Sequence, residues 1–230
     1  MTAAAEAKPR DPLLKRILIE GAPPGPAAPT DSTSERILAA ASQQVEDFGL
    51  RRFTIDDVAR RLRLSRVTIY RYFPKRDRLV EAVLLRELHR FLRAVDAAVE
   101  PYETLEERLV EGVVFALSYL RRHRLLQRLL RTEPELILPA LTVNAGGVLA
   151  AGREFIAGFA RREAERGGLP LAEEEIEAVA ELLARAVLSF VLTPDSVLGM
   201  RSDGEVRRFA DHYLAPTLRT LAELPRERKR

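Results

Sequence analysis

The chain contains no cysteine and no tryptophan, only four lysines and two methionines, and an aromatic share of 6%. Without cysteine there is no disulfide framework, no thiol nucleophile and no thiolate-held zinc, which fits a reducing compartment. Long hydrophobic runs are also missing. The longest nearly apolar stretch, Gly112 to Leu120, falls far short of the roughly 20 residues that span a bilayer. The first ten residues carry Glu6, Lys8 and Arg10 with no apolar segment behind a basic start, so no secretory signal is read there. A cytoplasmic location without a membrane partner is the expectation. His89, His123 and His212 show no metal-binding spacing, and neither a glycine-rich phosphate loop nor a nucleophile motif occurs. No metal, cofactor or catalytic residue is therefore expected, and an enzyme is not the reading.

What is present favours helix. Leu and Ala together number 66 against 25 for Val and Ile, which on propensity predicts an all-α chain. A length of 230 residues suggests one or two domains. Residues 1–31 hold six of the fourteen prolines, four of them in GAPPGPAAP, and are expected to form a flexible arm around the short amphipathic stretch PLLKRILIEG. The net charge of +3 becomes informative once it is located. From Arg51 to Arg78 ten basic residues face only Asp56, Asp57 and Asp77, a local +7, so the rest of the chain carries −4. Arginine is abundant throughout, at 33 residues, so the concentration in one segment is the signal rather than the number.

Helix boundaries can be read from caps and periodicity. Ser32 and Glu35 form an S-x-x-E box ahead of Ile37, Leu38, Ala41, Val45 and Phe48, with Gly49 as the stop. Thr54-x-x-Asp57 opens a short second helix with Ile55, Val58, Ala59 and Leu62 on its apolar face. Ser65 caps a third segment, SRVTIYRYF, in which Ile69 and Phe73 point one way and the Arg, Thr and Tyr side chains another. Pro74 closes it and opens a longer helix to about Val99. Beyond Pro101 the apolar spacing stays helical, apart from an unclear stretch at 135–146, and gives about nine helices in all. Gly146-Gly147 and Gly167-Gly168 are expected helix boundaries, and Glu173-Glu174-Glu175 an acidic first turn.

Two short helices joined by a tight turn, the second Ser-capped and bearing outward Arg, Thr and Tyr, satisfy the requirements of a helix-turn-helix. A major groove about 12 Å wide admits one helix, whose first turn reaches base edges. The segment TIDDVARRLRLSRVTIYRYFPKRDRL, with its T-x-x-x-V-A start, its Ser before the third helix, T-I-Y-x-Y-F and the following basic pair, resembles the DNA-binding motif of the TetR family of bacterial transcription regulators. The resemblance covers roughly Ser34 to Leu79. It implies a three-helix domain at 32–79, a larger helical effector-binding and dimerisation domain at 80–224, and a basic tail at 225–230.

By position, the resemblance makes Arg66, Val67 and Arg71 base-edge contacts, and Thr54, Ser65, Thr68, Tyr70, Tyr72, Lys75 and Arg76 contacts to the DNA backbone or caps beside it. Two positions depart from the pattern. Arg63 stands where glycine is common, which costs on the order of 1 kcal/mol in a left-handed turn and suggests that the turn is slightly rebuilt. Val67 stands where a small residue is usual and offers an apolar face to a thymine methyl.

In the larger domain the resemblance implies a small apolar or amphipathic effector. Phe115, Tyr119, Phe155 and Phe159 are its candidate contacts, although such spacing also suits core residues. The stripe of Ile176, Val179, Leu183, Val187 and Phe190 is too broad for a solvent-facing helix. Either it is buried in the monomer or, with Phe209 and Tyr213, it forms half of a four-helix homodimer interface, the reading taken because helix-turn-helix proteins gain specificity from paired half-sites. The expected function is a ligand-responsive repressor that binds a palindromic operator in double-stranded DNA as a homodimer. The alternatives are an architectural DNA-binding factor without an effector, and a helical ligand-binding or scaffold protein whose helix-turn-helix contacts protein.

Overall fold

The computed structural model describes residues 32–165 and 172–223. The Pro-rich arm, the Gly167-Gly168 stop and the basic tail lie outside the described residues. Every regular element among the described residues is helical: α1 Ser32–Phe48, α2 Ile55–Leu62, α3 Arg66–Tyr72, α4 Arg76–Val99, α5 Leu105–Arg122, α6 Arg124–Thr132, α7 Pro134–Leu141, α8 Gly146–Glu165, α9 Glu173–Leu192, α10 Asp203–Phe209 and α11 Ala215–Glu223. A π-helical segment, Ala210–Leu214, joins α10 to α11 without a break. No single described helix is long and apolar enough to cross a membrane.

The helix not foreseen in the sequence is α7. Pro134 at its first position suits a helix start, because that nitrogen needs no intrahelical acceptor, but Pro139 interrupts the pattern by which a helix is recognised. Elsewhere the caps act as their chemistry requires. The Thr104 hydroxyl accepts from Glu107 N at 3.2 Å while the Glu107 carboxylate accepts from Thr104 N at 3.1 Å, so two orphan amides of α5 are satisfied reciprocally. Ser202 and Glu205 repeat the device at α10.

The chain divides into two compact units. The first comprises residues up to 85 together with 128–148, so the expected single cut after residue 79 leaves out a stretch that packs with the N-terminal helices. Its core includes Ile37, Val45, Phe53, Val58, Ile69 and Leu79, all nearly inaccessible. Apart from Phe53, which lies between α1 and α2, these are the positions that the periodicity of α1 to α4 turns inward. The second unit comprises 86–127 and residues from 149 onward. One of its clusters joins Val110, Val113, Val114 and Leu117 of α5 to Val191, Met200, Val206 and Ala210. Another places Ala157 of α8 against Ile176 and Ala180 of α9 and Leu218 of α11.

Candidate nucleic-acid interface

The Thr54 side chain caps α2 by accepting from Asp57 N at 3.2 Å, and Ile55, Val58 and Ala59 bury its inner face. Helix α2 ends in a Schellman turn: Leu64 N donates to Ala59 O at 3.0 Å and Arg63 N to Arg60 O at 3.2 Å. The expected rebuilding does not occur. Arg63 itself adopts the left-handed conformation, with φ 54° and ψ 39°. Three residues therefore separate the two helices, and the turn stores the strain of a Cβ where glycine would carry none.

Ser65 then caps α3, its hydroxyl accepting from Thr68 N at 3.1 Å. Ile69 is inaccessible and Phe73, the C-cap residue, is 5% exposed, so these two apolar residues anchor the seven-residue helix. The opposite face is open. Val67 is 77% and Tyr70 46% exposed, Arg66 and Arg71 are exposed, and Thr68 and Tyr72 are half-buried. The Arg71 guanidinium lies 5.4 Å from the Tyr72 ring centroid. Lys75 is exposed just beyond. A short, basic, capped helix held by two anchors and projecting its other residues has the shape and charge for a major groove.

Several of the candidate contacts are engaged within the domain. Arg66 is ion-paired with Asp56 of α2. Arg76 donates from Nε to Phe53 O at 3.1 Å and from a terminal nitrogen to Leu50 O, so its guanidinium ties down the segment before α2. The Thr54 hydroxyl is also committed, donating to Asp57 Oδ2 at 2.6 Å.

Residues 37–83 match the model of the family described as bacterial regulatory proteins, tetR family. Over those residues, which span most of α1, all of α2 and α3 and the start of α4, the chain is similar to that family. An uncharacterized HTH-type transcriptional regulator of Mycobacterium tuberculosis (strain ATCC 25618 / H37Rv) is 32% identical over 101 residues, 44% of this chain and 51% of that protein. The chain thus spans about half the length of the first curated relatives that it matches. Among solved structures, the TetR family repressor AlkX from Dietzia sp. strain DQ12-45-1b, implicated in biodegradation of n-alkanes, superposes with a TM-score of 0.61 at 24% identity, covering 82% of this chain and 98% of that one. The transcriptional repressor QsdR of R. erythropolis gives 0.58 at 19% identity, covering 86% and 100%. Both share the fold over nearly their full length.

The second unit brings the four candidate effector contacts together. Phe115 and Tyr119 have ring centroids 5.9 Å apart, and Phe155 and Phe159 meet edge to face at 5.1 Å. Phe91, which the sequence analysis did not single out, lies 5.4 Å from Tyr119, and His123 continues the row at 5.5 Å. Phe91, Phe115, Phe155 and Phe159 all pack on the cluster of Val95, Val99 and Ala116. Burial pushes the Tyr119 hydroxyl above its ordinary pKa. Close by, the buried Glu87 carboxylate lies 3.5 Å from His123 Nε2 and 3.5 Å from Arg86 and Arg90.

The seven candidate interface residues divide between core and surface. Ile176 is 3% exposed within the unit's own core, and Val187, Phe190 and Phe209 pack against its other clusters. Val179 and Leu183 are half-buried, while Tyr213 alone of the seven is exposed. The outward face of α9 instead carries Ala178, Leu182, Arg185 and Ser189, with Leu182 67% exposed. Among the described residues no cluster of His, Asp and Glu has the makings of a metal site.

Proposed function

We propose that this protein is a TetR-family DNA-binding repressor that acts as a homodimer on a palindromic operator and is released by a small apolar or amphipathic effector. The observation that carries the reading is the exposed basic face of α3, held outward by Ile69 and Phe73. Arg66, Val67 and Arg71 contact base edges. Ser65, Thr68, Tyr70, Tyr72 and Lys75 hold the DNA backbone, while Thr54 and Arg76 act mainly by fixing the domain that presents α3.

The grouped rings of Phe91, Phe115, Tyr119, Phe155 and Phe159 support an effector with apolar or aromatic surface. For the dimer, the exposed stripe Ala178, Leu182, Arg185 and Ser189 on α9, together with Tyr213, is the face favoured over the more enclosed stripe that begins at the buried Ile176. Closely approaching helices require small residues or side chains able to interdigitate, and this face has both.

The test is selection of genomic or random duplexes by the purified protein, followed by affinity measured across a salt series. A recovered inverted repeat and an affinity falling steeply with salt are expected. Absence of an enriched sequence at any salt would leave the scaffold reading in its place.

A further inference from the structure

Gly49, just past the end of α1, has φ +83°. A left-handed step turns the next two amide N–H groups toward one point, the arrangement known as an anion-binding nest. Here a carboxylate of the same unit fills it. Glu133, between α6 and α7, accepts from Leu50 N at 2.8 Å on Oε2 and from Arg51 N at 3.2 Å on Oε1. Its side chain is buried, and a Cβ on Gly49 would overlap Oε1. The segment is gripped from a second side by Arg76, which donates to Leu50 O and Phe53 O. The Leu50 peptide therefore has its N–H on an acid 83 residues away and its carbonyl on a base 26 residues away.

We propose that Glu133 is a positioning residue for DNA reading, acting through the backbone of residues 49–53. This rests on the proposed role of α3. The segment leads directly into the Thr54 cap of α2, and α2 sets α3 through the Schellman turn and the Asp56–Arg66 pair. A buried carboxylate that satisfies two adjacent amides holds that entry in place. Arg51 also pairs with Glu135 at 2.6 Å, but both side chains are half or more exposed, so that bridge contributes little and serves as the comparator.

The test uses the full chain and two labelled duplexes, one recovered by selection with the wild-type protein and one scrambled. Glu133→Gln is expected to lose about tenfold affinity for the selected duplex while keeping wild-type affinity and salt slope on the scrambled one, because register and not charge is disturbed. Glu135→Gln is expected to stay within about twofold on both. Wild-type behaviour of Glu133→Gln, or an equal loss on both duplexes, overturns the role. Hydrogen exchange on the wild type gives a second measurement that does not depend on the variant folding. The amides of residues 50 and 51 are expected to exchange more slowly with the selected duplex bound than with the scrambled one, and equal rates overturn the proposal. Failure of the wild type to select any duplex would instead remove the DNA-binding reading, and this role with it.

Discussion

The guanidinium of Arg66, the first residue of α3, is held by the carboxylate of Asp56 in α2. Both side chains are substantially exposed, so solvent screens the pair and its net worth is at most about 1 kcal/mol. On the proposed reading, it orients Arg66 toward base edges and away from promiscuous phosphate contact. Asp56→Asn should release Arg66 and remove a negative charge facing the DNA. Binding to scrambled duplex is expected to tighten several-fold at low salt while discrimination between selected and scrambled sequences narrows. Arg66→Ala should lose about 1–3 kcal/mol on the selected duplex. Anisotropy titrations on both duplexes check the pair of variants, and unchanged discrimination in each would remove Arg66 from the contact surface.

Arg63 occupies the left-handed position of the turn between α2 and α3. Arg63→Gly should relieve about 1 kcal/mol of backbone strain, partly offset by the greater freedom of glycine in the unfolded chain. A rise in thermal midpoint of about 2 °C is expected by calorimetry. A fall would mean that the arginine side chain makes contacts that outweigh its backbone cost.

On α9, two substitutions separate core from interface. Ile176→Ala removes a side chain from the cluster with Ala157, Ala180 and Leu218 and should destabilise the fold by about 2–4 kcal/mol without altering dimer dissociation at temperatures where it remains folded. Leu182→Arg, on the exposed face, should leave the helical signal intact and yield a monomer by light scattering. A dimer unaffected by Leu182→Arg would sink the outward-face assignment.

Two helix starts predict an acid-side dependence. Glu107 and Glu205 are held below the ordinary carboxylate range, chiefly because backbone N–H groups of Thr104 and Ser202 donate to them and then because the two hydroxyls do. A lowered folded-state pKa means that the stabilisation is present above the ordinary value near 4.3 and is lost as pH falls through the lowered one. The combined Glu107→Gln and Glu205→Gln variant should therefore show a shallower decline in thermal midpoint than wild type between about pH 5 and pH 3. Parallel declines would mean that neither carboxylate is coupled to folding.

Much of the candidate DNA surface was legible because its causes are local. A threonine three residues before an aspartate, a serine before a basic segment, and Ile69 and Phe73 spaced four apart specify two capped helices and the side of α3 that is buried. The caps and periodicity involve residues within one or two helical turns, so they depend little on the remainder of the chain. Helix α7 was lost to the same logic, since its own prolines break the local pattern and its place is set by packing. The aromatic candidates came together, although nothing in their spacing reveals that Phe91 joins them.

By itself, then, the amino-acid order determined the all-helical class, the recognition segment and the anchors that aim it outward. Only the tertiary structure decided that Arg76 binds backbone carbonyls, that Asp56 holds Arg66, that Ile176 belongs to the interior, and that Glu133 fills the turn after Gly49. The physical reason is range. Caps and helical faces follow from neighbours within a few residues, whereas an ion pair or a buried carboxylate takes its meaning from groups that folding alone brings within about 3 Å.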